Sequence, residues 1–356
     1  MKLYLHIGHG KTGSSYLQSW LACNAAAVHF NSGLIYPQRL SGRDQLADNR
    51  ALLGRFSQGN GFVFDRLLQF RNRPRRQRRW LRRNSGSFED SALRFNGLIF
   101  SFEGWARRFV SLLPDLDVLM DCWGLEQVEL LLMVRDPLEH ACSAYGQMVK
   151  RHGYCGSLDD WLGSYRFTQR LLESLEAIAA AAPRLRLTAA HYGRDRNGLL
   201  PVLQRWLHLD PSWPWQQPAQ LLINRSLTVE ELRLMRHLNA QIGDCAARVG
   251  EHLVDRLPQE SAARLQPSWE AVQSFQRRWQ QPVALINQLL PRAAQLTLAP
   301  PEWMLTRLSS FSNEGELGDV IQLSSAQLAC LVDGLWQPHR SATSAPQAGQ
   351  SNRQRH

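Results

Sequence analysis

The chain has 356 residues, of which 44% are hydrophobic and 20% are charged. This balance excludes wholesale disorder and allows one large α/β domain, with or without a helical annex. The formal net charge of +10 favours anionic partners, but it does not choose between nucleotides, acidic glycans, nucleic acid and a membrane surface. No CxxC spacing occurs, which argues against a zinc site or a dense disulfide framework. We interpret all six cysteines as reduced core thiols: Cys23, Cys122, Cys142, Cys155, Cys245 and Cys330.

The first predicted element is a buried strand, Lys2–Ile7, because this run is short, apolar and stopped by glycine. It is also too short for a signal peptide or a membrane span, so we expect a soluble, cytoplasmic protein. A helix is predicted next, over residues 14–24. Its apolar stripe would pack on a sheet and leave Gln18 and Ser19 facing water.

Further short apolar runs predict more strands, and the stretches between them predict helices. The strands are Gly97–Phe102, Val128–Val134 and 185–190. The helices cover 137–150, a stretch from Ser157, and a stretch from Thr228 to about Gly243, the last two opened by capping boxes. Strands that alternate with helices predict an α/β fold with a doubly wound, mainly parallel sheet flanked by helices. Ligands of such sheets bind beyond the carboxyl ends of the strands.

We expect three regions along the chain. Residues 1–240 would form the α/β core, 241–338 a mostly helical extension packed on it, and 339–356 a disordered tail without apolar periodicity. The segment 71–83, RNRPRRQRRWLRR, is an arginine-rich insertion between the first two long strands. It is either a solvated helix face or a mobile loop, and it could guide an acidic saccharide by long-range attraction.

The segment 8–15, Gly-His-Gly-Lys-Thr-Gly-Ser-Ser, lies between a predicted strand and a predicted helix. Glycines let a backbone wrap closely around phosphate oxygens, and the amino end of a helix favours an anion. Lys11 would stabilise charge on a leaving phosphate. The alternative is a tight turn with an incidental lysine. We predict an anion site made of His9, Gly10, Lys11, Thr12, Gly13, Ser14 and Ser15.

The order of residues in this loop distinguishes it from the common ATP-binding loop. That loop reads GxxxxGK[ST], whereas Lys11 here precedes Gly13 by two positions. The stretch HIGHGKTGSSYLQSWL resembles the 5′-phosphosulfate loop of sulfotransferases that use 3′-phosphoadenosine-5′-phosphosulfate (PAPS), in the bacterial and glycan-modifying branch. The usual pattern there is Lys-Thr-Gly-Thr-Thr, and Ser14 and Ser15 keep its hydroxyl groups. The resemblance implies a P-loop-like fold, PAPS as the donor, and no metal.

A second anion site is predicted at the end of the strand Val128–Val134. Arg135 follows that strand, and Asp136 and Pro137 would cap and begin a helix. The stretch RDPLEHACSAY resembles the sulfotransferase 3′-phosphate motif, which implies that Arg135 and Ser143 hold the 3′-phosphate of the nucleotide. Many relatives have a second arginine where this chain has His140. The alternatives are an ion pair of Arg135 with Asp136 or another acid, and an ordinary exposed serine.

A weaker similarity lies at Asn224-Arg225-Ser226-Leu227-Thr228, which is similar to an Asn-x-Ser-Leu segment late in bacterial members. It implies that Arg225 reaches the nucleotide. Helix capping by Thr228 explains this segment equally well.

Transfer to a hydroxyl needs a base that takes the acceptor proton. Glu103 follows the strand Gly97–Phe102, at a position where relatives often have Ser-Ser-Glu. His9 and Asp44 are the other candidates, and helix capping is an alternative role for Glu103.

The sequence therefore predicts sulfuryl transfer from PAPS to a hydroxyl, with a saccharide or glycan as the expected acceptor. Two alternatives stay open. A P-loop kinase or nucleoside triphosphatase would need magnesium and a partner acid at a strand end. A non-catalytic anion or nucleic-acid binder would use the arginine cluster, although we do not expect nucleic acid as a partner.

Overall fold

The computed structural model of the protein describes residues 2–38, 50–70, 73, 75–76, 79, 96–194, 198–220, 223–308 and 321–336. The expected disordered tail, most of the arginine-rich segment 71–83, and Asp44 lie outside these ranges. The interpretations given to them above stay predictions.

Five parallel strands form one sheet. They are β1 (Lys2–Ile7), β2 (Leu34–Ile35), β3 (Gly97–Phe102), β4 (Val128–Val134) and β5 (Leu185–His191). Their order across the sheet is β2-β3-β1-β4-β5, and every neighbouring pair is parallel. The predicted doubly wound parallel sheet is confirmed, and the two-residue strand β2 is an addition to it. Because β1 is central, the loops that follow β1, β3 and β4 leave the sheet side by side at its carboxyl edge.

Helices cover both faces of the sheet and make up the carboxyl-terminal part. Those that alternate with strands are α1 (Ser14–Cys23), α2 (Ala25–Ser32), α3 (Gly61–Gln69), α4 (Trp105–Trp123), α5 (Pro137–Arg151), α6 (Leu158–Ser164), α7 (Phe167–Ala180) and α8 (Leu199–Trp206). The later ones are α9 (Val229–Ile242), α10 (Ala247–Arg256), α11 (Trp269–Leu289), α12 (Glu302–Leu308) and α13 (Ser325–Trp336), with short 3₁₀ helices at Gly243–Ala246 and Arg292–Ala294. Both predicted capping boxes are present, at Ser157 and Thr228.

The strands β1, β3 and β4 are buried on both faces because their side chains enter two separate hydrophobic cores. On one face, Leu5 and Phe100 pack with α3, α4 and α5. On the other, Tyr4 and Ile99 pack with α1 and α8. Side chains of α10 and α11 join the first core, so the helical part packs against the sheet domain. The division at residue 240 stays a prediction.

The outer face of α1 differs from the prediction. Gln18 and Ser19 are fully buried, because the segment 50–60 covers this side of the helix. The Gln18 side-chain amide donates to Ser101 Oγ at 3.1 Å, and Ser19 Oγ donates to the Ala51 carbonyl at 2.6 Å. The expectation that both residues face water is wrong, since both side chains are buried and each donates a hydrogen bond to another part of the protein.

The cysteines are only partly core residues. All those described are free thiols, and Cys142 and Cys330 are buried as expected. Cys122 and Cys155 are exposed, so the interpretation as core thiols is wrong for these two. Cys23 is half-buried.

Within the described ranges, none of the helices combines the length and the apolar character that a bilayer crossing needs.

Candidate functional site

The loop between β1 and α1 has a backbone that only certain residues adopt easily. Gly13 has φ +83° and Lys11 has φ +63°, both in the left-handed region. A Cβ atom on Gly13 would lie 2.7 Å from Leu199 Cδ1 and 3.0 Å from Tyr192 Cε2, so conformation and space both require glycine here. Thr12 is buried, and its hydroxyl donates to the His9 carbonyl, which closes the loop on itself.

Ser14 and Ser15 begin α1, and the first N–H groups of a helix have no partner within the helix. Ser14 is 1% exposed, and its Oγ has no hydrogen-bond partner among the described residues. A buried hydroxyl left without a partner is unfavourable by about 1–3 kcal/mol. This orphaned hydroxyl, beside the amino end of a helix, is available as a donor to an anionic ligand.

Lys11 is half-buried, and its charge depends on three neighbours. Burial lowers the pKa of Lys11 to about 8; the Glu103 carboxylate opposes this shift, and Arg135 and Arg151 add to it. A lysine with this pKa is still mostly a cation at neutral pH. It therefore offers a poorly hydrated positive charge to an anionic ligand.

Arg135 leaves the end of β4 and reaches the loop. Its Nη1 donates to the Lys11 carbonyl at 3.2 Å, and its Nε donates to Glu139 Oε2 at 3.2 Å. The guanidinium carbon lies 5.4 Å from the centre of the Tyr192 ring. Nη2 makes no hydrogen bond to any residue that the structure describes, which leaves a face of the guanidinium for a ligand. Arg135 therefore forms an ion pair with Glu139, in the first turn of α5, and not with Asp136.

Asp136 stands at the amino end of α5, but its side chain does not cap the helix. The Asp136 carboxylate accepts hydrogen bonds from the Thr297 backbone N–H at 2.7 Å and from His191 Nε2 at 3.1 Å. The predicted cap is therefore wrong, because these two partners hold the carboxylate away from the helix end. Pro137 occupies the first turn as predicted.

The His9 side chain lies behind the loop. Its ring stacks on the ring of His140, with centroids 4.1 Å apart, and both residues are almost fully buried. His140 Nδ1 lies 2.7 Å from the Tyr165 hydroxyl. Burial lowers the pKa of His9 to about 4, and neither ring nitrogen has a partner among the described residues. The His9 imidazole is therefore neutral and does not line the cavity at this edge of the sheet, so it is poorly placed to act as a base.

A cavity of about 830 Å³ opens at the carboxyl edge of the sheet and brings the two predicted anion sites together. Eight of the residues predicted from the sequence line this cavity: Lys11, Gly13, Ser14, Ser15, Glu103, Arg135, Ser143 and Arg225. His9, Gly10 and Thr12 are not part of this lining, and the side chains of His9 and Thr12 are buried. Glu103 and Ser143 are both half-buried, at the end of β3 and two turns into α5. One compartment thus brings Lys11 and Arg135 together with the Glu103 carboxylate.

Arg225 borders this cavity, but its guanidinium is used by the protein. It forms a pair of hydrogen bonds with Glu231, at 2.7 and 2.9 Å, and donates to the carbonyls of Leu257, Ser226 and Leu253. These bonds account for all five N–H groups of the side chain. The contact of Arg225 with a nucleotide stays an untested prediction, and the geometry gives this arginine a structural role.

Part of the cavity wall was not predicted from the sequence: Tyr192, Leu199, Asn224, Trp303 and the segment 258–265. Tyr192 directly follows β5, so the position of a strand end could have identified it. The segment 258–265 contains no recognisable motif and is distant in sequence from the other cavity residues, so the sequence alone could not have identified it.

No family model matches the chain, and no curated protein matches it. Among solved structures, one similar chain is retinol dehydratase in complex with androsterone and the inactive cofactor PAP. It is 12% identical and has a TM-score of 0.30, covering 84% of this chain and 82% of that one. A likeness this low supports no statement about the site.

Proposed function

We propose that this protein transfers a sulfuryl group from PAPS to a hydroxyl, with a saccharide or glycan as the acceptor. The observation that carries the proposal is one cavity lined by four residues of the 8–15 loop and also by Arg135 and Ser143. The four are Lys11, Gly13, Ser14 and Ser15. PAPS carries one anionic group at its 5′ end and another at its 3′ position. Two anion sites that open into the same cavity fit a donor of this kind.

The size and chemistry of the cavity support the same reading. Its volume of about 830 Å³ lies within the range of small-molecule and cofactor sites. Lys11 and the start of α1 are suited to the 5′-phosphosulfate. Arg135 offers its free Nη2 to the 3′-phosphate, and Ser143 adds a hydroxyl donor. Leucine and tryptophan side chains line other parts of the cavity and would contact the base and ribose.

The reaction is an in-line displacement at sulfur. The acceptor oxygen forms a bond to sulfur while the bond from sulfur to the bridging phosphate oxygen breaks, and adenosine 3′,5′-bisphosphate leaves with that electron pair. Lys11 stabilises the negative charge that develops on the bridging oxygen. Glu103, at the end of the neighbouring strand β3 and beside the loop that carries Lys11, takes the proton of the acceptor hydroxyl. The loop amides and the Ser14 hydroxyl hold the sulfuryl oxygens.

The first test is calorimetric titration with adenosine 3′,5′-bisphosphate and, separately, with ATP plus magnesium. Binding of the bisphosphate with at least about tenfold preference supports the donor site. Release of the bisphosphate from PAPS is then measured over a panel of neutral and acidic oligosaccharides. Binding of ATP alone would favour the kinase instead. Binding of neither, with salt-sensitive RNA binding, would favour the non-catalytic anion binder.

A further inference from the structure

Lys150 is a buried lysine that the proposed reaction does not use. The chain has three lysines, Lys2, Lys11 and Lys150, and the third lies in the last turn of α5 with 1% of its surface exposed. Its Nζ donates to Asn224 Oδ1 at 2.6 Å and to the Arg225 carbonyl at 3.3 Å. Both acceptors belong to the segment Asn224–Ser226, which enters the structure between α8 and α9 and lines the cavity.

This burial is unfavourable for an ammonium group, so the site must compensate for it. Burial lowers the pKa of Lys150 well below its ordinary value; the cations Lys11, Arg151 and Arg225 add to the shift, and Asp255 opposes it. An amine with two hydrogen bonds satisfies such a site whether or not it is charged. An apolar residue would be easier to bury at this position. The two hydrogen-bond acceptors, Asn224 Oδ1 and the Arg225 carbonyl, explain why a lysine is found there.

The fold leaves room for the lysine stem. A Cβ atom on Gly250, in α10, would lie 2.8 Å from Lys150 Cγ and 2.9 Å from the Lys150 carbonyl oxygen. Any larger residue at 250 would force the stem to move. The close approach of α10 and α5 thus directs the amine toward Asn224.

Asn224 needs this support, because its backbone is strained. Its φ of +58° lies in the left-handed region, which asparagine tolerates better than most residues but still at some energetic disadvantage. The hydrogen bond to Oδ1 fixes the side chain, and the bond to the next carbonyl fixes the peptide that follows. Together they hold the segment Asn224–Ser226 as a wall of the cavity.

We propose that Lys150 is a positioning residue for nucleotide binding: it holds the segment Asn224–Ser226 in the shape that closes the cavity around the donor. This inference rests on the proposed function, because the nucleotide is the ligand whose fit the wall determines. Lys150 itself touches neither the nucleotide nor the acceptor.

The test compares Lys150→Met with Lys2→Met, which removes an exposed lysine at the start of β1. Affinity for adenosine 3′,5′-bisphosphate is measured by calorimetry at low temperature, where circular dichroism and a thermal melt establish that each variant is folded. We expect Lys150→Met to weaken binding by at least about tenfold and Lys2→Met to leave it unchanged. Wild-type affinity in folded Lys150→Met would overturn the inference.

A second variant keeps the inference testable if Lys150→Met does not fold. Asn224→Gly removes the side-chain acceptor, while glycine still adopts the positive φ. We expect a similar loss of affinity, and the double variant, where it folds, should lose no more than either single change. Unchanged affinity in Asn224→Gly would also overturn the inference. Failure of the wild-type protein to bind the bisphosphate would instead refute the proposed function.

Discussion

Arg135 donates a hydrogen bond from Nη1 to the Lys11 carbonyl at 3.2 Å, which ties the end of β4 to the loop after β1. These two strands are parallel neighbours, so both groups leave the sheet at the same edge. The bond orients the guanidinium and also fixes the peptide of Lys11, whose φ is positive. The two anion sites are therefore one connected structure rather than two independent loops.

The first prediction concerns this connection. We expect Arg135→Ala to weaken binding of adenosine 3′,5′-bisphosphate by about 10- to 100-fold, because hydrogen bonds to charged groups contribute about 1.5–3 kcal/mol. Calorimetric titration measures the change. Arg184→Ala is the control, since Arg184 pairs with Asp117 and Asp121 away from the cavity and should leave the affinity unchanged. Equal affinity in wild type and Arg135→Ala would remove this arginine from the site.

Lys11 is expected to act mainly in the transition state. We predict that Lys11→Ala lowers kcat by about 10²- to 10³-fold, as the loss of a group that stabilises developing charge does, while the bisphosphate affinity falls much less. Initial rates with PAPS and calorimetry with the product provide the two values. Lys2→Ala controls for removal of a lysine. Equal losses in rate and affinity would contradict the transition-state role.

The pKa of Lys11 also predicts a dependence of binding on pH. With a pKa lowered to about 8, Lys11 is a cation below that pH and becomes neutral above it. An anionic ligand binds the protonated form better, so affinity for the bisphosphate should fall as pH rises from 8 toward 9.5, and the total decline should not exceed the modest loss of affinity in Lys11→Ala. In Lys11→Met this decline should be absent. A decline of the same size in the variant would assign it to another group.

The general base is tested by comparing three candidates. We predict that Glu103→Gln lowers kcat by about 10²- to 10⁴-fold with unchanged bisphosphate affinity, because the amide keeps the shape of the side chain but accepts no proton. His9→Phe should preserve the rate, since the ring lies behind the loop. Asp44→Asn completes the set. A large loss of rate in Asp44→Asn, with Glu103→Gln still active, would transfer the role to Asp44.

The parts of the fold and of the site that depend on local sequence pattern could be predicted from the sequence. The strands β1, β3 and β4 are short apolar runs, and their carboxyl ends carry Lys11, Glu103 and Arg135 by simple succession. What it misses depends on contacts between distant segments. Gln18 is buried because Ser101 of β3 and the turn at Gly59 lie against it, and the Asn224 side chain in the cavity wall accepts a hydrogen bond from Lys150. The hydrophobic periodicity of one helix cannot predict contacts of this kind, because the partners come from distant parts of the chain.

The Arg225 and Glu231 pair gives the last prediction, on stability. Both side chains are almost completely buried, and burial raises the pKa of Glu231, but the hydrogen bonds from Arg225 and Thr228 outweigh this and lower it. Arg225→Met would leave a buried carboxylate without its partner, so we expect a loss of about 3–5 kcal/mol in the free energy of unfolding. Arg233→Met, which breaks the half-buried pair with Glu230 on the same helix, should lose less than about 1 kcal/mol.

Urea-induced unfolding of both variants and the wild type at pH 7 measures the two losses. Because the pKa of Glu231 is lowered in the folded state, the pair stabilises the protein above the ordinary glutamate pKa. That contribution disappears as pH falls through the folded-state value. The gap between wild type and Arg225→Met should therefore narrow on acidification, as protonation neutralises the orphaned carboxylate. A gap that is small at pH 7 would show that the pair contributes little. A large gap that does not change with pH would assign the loss to the bonds that Arg225 donates to the carbonyls of Leu257, Ser226 and Leu253.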